Sequence, residues 1–158
     1  MCMKSVNISN IFYEDNLSGF NGNLRFGEIK TKIKAIKDIN NKYYINRLYV
    51  LCNFTAMSSS EDSHLTNIYD IMWTFGCLNS NNIFDNKQIA ETVIDTKINK
   101  TDNPTVSLRS FTNQFRIVEL KDYPIDELGK YYLKTYIKKT GTNDDWQVQS
   151  ITAIDVID

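Results

Sequence analysis

Glu127-Leu128-Gly129-Lys130-Tyr131-Tyr132-Leu133-Lys134-Thr135-Tyr136-Ile137-Lys138 alternates from Tyr131 onward. Tyr131, Leu133, Thr135 and Ile137 fall on one side, Tyr132, Lys134, Tyr136 and Lys138 on the other. Side chains of a strand alternate with period two, so a mostly apolar face set against a mixed one reads as a half-buried strand. The run stops at Lys139-Thr140-Gly141-Thr142-Asn143-Asp144-Asp145, residues that accept positive φ or bond their own backbone. A second β-rich run, Trp146 to Ile157, follows, so Pro124 to Val156 reads as a hairpin of two long strands.

The spacing of Glu127, Gly129, Tyr131 and Leu133 resembles the tyrosine corner that opens one strand of immunoglobulin-like β-sandwiches. The resemblance implies that the Tyr131 ring packs in a core while its hydroxyl bonds backbone a few residues upstream. Leu133 stands where antibody domains carry a disulfide cysteine, so the resemblance is to sandwiches without that bridge.

Strand signals extend outward from this hairpin. Ile8 to Tyr13 reads as a short first strand. Ile29, Thr31, Ile33 and Ala35 alternate with Lys30, Lys32 and Lys34, again a half-buried strand. Tyr43 to Met57 alternates with Leu48, Val50, Cys52, Phe54 and Ala56 toward the core. Ser58 and Glu61 have capping-box spacing, which predicts at most a short helical segment near residues 58–67. Leu65, Ile68, Met72 and Phe75 would mark one face of a helix, whereas at period two Ile71, Trp73, Phe75 and Cys77 share a face, and the two readings combine as a helical turn or loop through Asn67 and then a strand from about Ile68 to Leu78. Asp85-Asn86-Lys87 reads as a turn, and Ile89 to Ile98 is β-branched enough for a strand. In Thr105 to Leu120, Phe111, Phe115 and Ile117 are expected in the core. Closely spaced turns and no internal repeat or linker predict an all-β chain, a single antiparallel β-sandwich domain over residues 1–158.

Composition bounds the function. With 158 residues the chain is long enough to bury a core without staples, and 42% hydrophobic residues suit a globular domain. A net charge of −1 gives no global attraction to polyanions, so nucleic acid is disfavoured as a partner. No apolar run matches a signal-peptide core or membrane span, so no membrane partner and a cytoplasmic location are expected. Three cysteines without a Cys-x-x-Cys pair indicate neither a disulfide framework nor zinc. The heavy use of Asn, Ile, Lys and Tyr suggests an AT-rich coding sequence, as in a low-GC bacterium or phage.

No arrangement of catalytic residues, metal ligands or cofactor motif stands out, so neither catalysis nor a cofactor is expected. The lone His64 lies among Ser58, Ser59, Ser60, Glu61, Asp62 and Ser63, but triads are assembled by folds from distant positions. Asp122, Asp126, Glu127, Asp144 and Asp145 are the candidates for calcium if one end of the fold brings them together. The stronger signal is aromatic. Tyr132 and Tyr136 on the mixed face, with Asn143, Asp144 and Trp146 at the loop, are the expected partner-binding residues, since exposed amphipathic rings serve contact. The expected function is a non-enzymatic interaction or structural module that binds a protein partner or its own copies, as an accessory protein of a bacterial or phage system. The competing expectation is a small-ligand-binding or hydrolytic protein with a loop-end pocket near His64 or near Asp144 to Trp146.

Overall fold

The computed structural model describes the backbone of the 158-residue chain except residues 1–3, 14–17, 21–22, 26–28, 59–67, 79–83, 96–98 and 101–109. Side chains are further left undescribed at 4–6, 18–20, 23–25, 56–58, 95, 99–100 and 110–113. The short helical segment expected near 58–67, His64 and its acidic neighbours therefore lie outside the described residues, apart from Ser58 at the end of a strand.

The described elements are strands: β1 (Lys4–Tyr13), β2 (Ser18–Phe20), β3 (Asn23–Arg25), β4 (Lys32–Lys34), β5 (Ile36–Lys37), β6 (Tyr43–Ser58), β7 (Ile68–Leu78), β8 (Phe84–Asp95), β9 (Asn99–Lys100), β10 (Ser110–Ile125), β11 (Gly129–Lys139) and β12 (Gln147–Ile157). One sheet runs β1-β6-β10-β9 with β5 beside β6, the other β4-β12-β11-β7-β8, and β2 pairs β3. The two large sheets share one core, and the fold is an antiparallel β-sandwich in which, among the described strands, the short β4 alone runs parallel to its neighbour. Among the described residues no helix is long and apolar enough to cross a membrane.

Period-two patterns account for the core. Leu48, Val50, Cys52 and Phe54 of β6 pack with Ile71, Trp73 and Phe75 of β7, Tyr131, Leu133 and Ile137 of β11, and Ile154 and Val156 of β12. Cys52, Trp73 and Tyr131 thus meet in one cluster, with Phe54 edge-on to Trp73 at 6.0 Å between ring centroids. The Tyr131 ring stacks on Phe75 at 5.3 Å, and its hydroxyl donates to the Glu127 carbonyl at 2.8 Å. The tyrosine corner read in the sequence is formed. Tyr131→Phe should cost about 0.5–1.5 kcal/mol in urea unfolding, the net value of one hydrogen bond; equal stability would show that this bond contributes nothing.

Several expectations are corrected. The Phe111 side chain lies outside the described residues, while Phe115 and Ile117 point outward, 50% and 45% exposed, and Val118 and Leu120 enter the core instead. The register decides: β10 lies on β6 with Val118 opposite Val50 and Leu120 opposite Leu48, so the other parity must face solvent. Asp85-Asn86-Lys87 is not a turn but the start of β8, paired to β7 residues Cys77, Gly76 and Phe75. Ile29 is exposed, making only an isolated bridge to Tyr13, while Ile33 and Ala35 are buried. After Ala35, whose N–H still donates to the Ile157 carbonyl of β12, the chain crosses layers, since β4 belongs to one sheet and β5 to the other.

Asp122, at φ 47°, marks a change of face within β10. Leu120 and Val118 are buried before it and Ile125 after it, and opposite in β6 Leu48 is buried on one side and Ile45 on the other. Both strands exchange parity there without losing register. An aspartate tolerates this left-handed conformation better than a branched residue.

Burial pushes the Cys52 thiol up from its ordinary 9.0 to about 12, with the Trp73 indole acting weakly in the opposite direction. Above about pH 9 the unfolded chain releases this proton and the folded chain retains it. Stability should therefore fall with rising pH up to about 12, by roughly 1.4 kcal/mol per unit for a single such group. Urea unfolding at about pH 8 and about pH 10 should show the decline, and Cys52→Ala should make it shallower, the remainder coming from the Tyr13, Tyr123 and Tyr131 hydroxyls, which burial also pushes up. An unchanged slope in the variant would assign the effect to other groups.

Candidate functional site

β11 lies between β12 and β7, which makes its outward side chains the centre line of the second sheet's outer face. Because Tyr131, Leu133, Thr135 and Ile137 are drawn inward, Lys130, Tyr132, Lys134, Tyr136 and Lys138 stand outward. Register completes each rung across the face: Ala153 and Gly76 flank Tyr132, Ile151 and Thr74 flank Lys134, and Val148 and Met72 flank Tyr136. Ile151 is 58% exposed. Such a surface keeps apolar area in water that a partner could cover.

Phe84 of β8 belongs to this face. Its ring meets Tyr132 edge-on at 5.5 Å, and the Lys134 ammonium sits 3.8 Å from its centroid. The Lys138 ammonium lies 4.9 Å from the Trp146 ring centroid. Sequence reasoning missed Phe84 because a sequence does not show which strand comes to lie beside β7; an isolated Phe beside an Asn-rich stretch is its only signal. Of the expected partner-binding residues, Tyr132, Tyr136 and Trp146 are half-buried, the first two on this face and Trp146 over Lys138. Asn143 is exposed at the hairpin tip, and Asp144 accepts a hydrogen bond from the Thr142 hydroxyl at 2.8 Å. The hairpin end is tied to β7 by Thr140, whose hydroxyl donates to Asp70 at 2.6 Å and whose N–H donates to the Ile68 carbonyl.

The lysines do not form one continuous basic surface. Lys32 and Lys34 stand exposed on β4, separated from β11 by β12, and Lys130 is balanced by Asp155 at 4.0 Å. The carboxylates weighed for calcium are also divided. Asp122, Asp126 and Glu127 lie near the start of β11 and Asp144 and Asp145 beyond its end, roughly 30 Å apart along an extended strand. Among the described residues no group of three metal-ligating side chains is present.

A cavity of about 180 Å³ at the hairpin end is lined by residues that include Tyr69, Lys138, Asp144 and Asp145. That is below the roughly 300–1,000 Å³ of small-molecule sites. A more open cleft of about 380 Å³ lies between the Asp38–Lys42 turn, Tyr44 and Asp122. Its Asp38 carboxylate already accepts the Asn40 and Lys42 N–H groups at 2.7 and 2.9 Å.

The edge of this sheet is guarded. β8 has a register shift opposite Trp73/Thr74, and beyond it Lys87 pairs opposite the buried Phe75. A bulge and an exposed lysine on an edge strand both disfavour strand addition. On the other sheet, Ile11, Leu51 and Ile117 form one row across β1, β6 and β10, next to Phe115.

No family model matches the sequence, and no curated protein matches it either. Solved structures similar to it include crystal structures of a β-glucosidase from Listeria innocua. In complex with isofagomine that enzyme is 7% identical with a TM-score of 0.48; in complex with glucose the values are 8% and 0.47. The similarity covers 98% of this chain, which spans only 16% of the enzyme's length.

Proposed function

We propose that this chain is a non-enzymatic protein-binding module, an immunoglobulin-like sandwich whose interface is the outer face of the sheet centred on β11. The observation that carries the reading is the outward row of β11, in which Tyr132 and Tyr136 alternate with Lys134 and Lys138 beside Phe84 and Trp146. Large rings held partly open on a rigid strand bury area at small entropic cost, the property of binding hot spots. The tyrosine corner supports the immunoglobulin-like assignment. A cytoplasmic accessory role in a low-GC bacterium or phage, with a protein partner or a second copy, fits the composition.

Tyr132→Ala and Tyr136→Ala should each weaken association by about 2 kcal/mol, roughly thirtyfold in Kd, where they sit at the centre of the contact. Their urea midpoints should move far less. Sedimentation velocity over a concentration series measures self-association, and quantitative capture with wild-type and variant baits measures a heterologous partner. Wild-type behaviour of both variants in both assays would remove the face from consideration.

A further inference from the structure

We infer that the partner presented to this face is an acidic polypeptide, with carboxylates on either side of an apolar strip. The inference rests on the outer face of the β11 sheet being the interface proposed above. Lys134 and Lys138 are four residues apart on one strand, which places them about 13 Å apart along it. Between them runs the apolar row Val148, Tyr136 and Met72, crossing three strands. Neither lysine enters an ion pair among the described residues, whereas Lys130 is balanced by Asp155. Each ammonium lies over an aromatic ring, Lys134 on Phe84 and Lys138 on Trp146, and this contact positions the charge without neutralising it. Asp70, the acid beside Lys138 in register, accepts the Thr140 hydroxyl. The complement is therefore two carboxylates separated by an apolar stretch. Single-stranded nucleic acid fits less well, because stacking needs free ring faces and the ammoniums cover one face of Phe84 and of Trp146. Asp70, Glu91 and Asp155 on the same side oppose a polyanion charged at every residue more than a polypeptide whose carboxylates fall only at the two lysines.

The test is selection from a random displayed-peptide library against the full-length wild type, Lys134→Gln/Lys138→Gln, Lys134→Arg/Lys138→Arg and Tyr132→Ala/Tyr136→Ala. Oligothymidylate binding is measured in parallel. Peptides selected on the wild type should be enriched in Asp and Glu. They should lose roughly tenfold in affinity on the glutamine variant, retain it on the arginine variant, and weaken as salt rises from about 50 to about 300 mM. Peptides that depend on Tyr132 and Tyr136 but carry no acidic enrichment would overturn the acidic partner while leaving the interface standing. Peptides indifferent to the two tyrosines would remove both. Oligothymidylate binding that is lost in the glutamine variant would replace the polypeptide with nucleic acid.

Discussion

Replacing Gly76 by alanine should destabilise the protein by more than about 3 kcal/mol, beyond the usual span of single substitutions. A Cβ at this position would fall on the Asp85 carbonyl oxygen, 2.7 Å from its carbon and 2.8 Å from Asn86 Cα. All three are backbone atoms of β8, so no rotamer change relieves the overlap. The β7–β8 ladder must open around the Gly76–Asn86 pair, and β8 is the sheet's edge strand with only β7 to hold it. Phe84 would be displaced from Tyr132 and Lys134 as a consequence. Gly141→Ala is the control. There a Cβ meets nothing within 4 Å, and only the φ of 75° is unfavourable for alanine. Its cost should be about 1–2 kcal/mol. Urea unfolding of the two variants should separate them clearly, and equal midpoints would show that β7 and β8 are not so closely apposed.

Trp73→Ala should cost about 3–5 kcal/mol, as large-to-small changes at filled aromatic sites do. Trp73 is 1% exposed, packs edge-on against Phe54 from the opposite sheet, and lies opposite Thr135 in the β7–β11 pair. Removing it empties the space between the layers at their centre. Trp73→Phe should cost much less, about 1–2 kcal/mol. It retains the ring and deletes an indole N–H that makes no hydrogen bond of ordinary geometry and faces only the weakly accepting Cys52 thiol. Chemical unfolding followed by far-ultraviolet circular dichroism reads both variants. A small loss for alanine would mean that the two layers close over the vacated volume.

Part of the site was legible in the chain and part was not. Tyr132, Tyr136 and their lysines were readable because β11 alternates over its whole length and Tyr131 declares which parity is inward. Phe84 was hidden beside a supposed turn, since Asp, Asn and Lys have turn propensity that β7 overrides by offering a glycine for close approach. Phe115 and Ile117 were assigned to the core on hydrophobicity alone, yet both parities of β10 carry apolar residues. Asn10 gave no signal at all. It sits nine-tenths buried between the layers, where its amide donates to the Thr135 and Ser150 hydroxyls at 2.9 and 3.0 Å, joining β1 of one sheet to β11 and β12 of the other.

The class of fold, the inward parity of the second half of β6 and of β11, and the corner that opens β11 could be read along the chain. Each of these depends on local alternation or on a hydrogen bond four residues long. Which strands are neighbours, where β6 and β10 change faces, which parity of β10 meets water, and the choice of strand over helix at Ile68–Leu78 came with the folded chain. Pairing and register are settled between segments far apart in the chain, by shared burial that no single segment encodes. The same holds for the outer face of the β11 sheet. Its tyrosines were visible along one strand, but the rungs that set Lys134 on Phe84 and an apolar row between two lysines exist only once β12, β7 and β8 lie alongside.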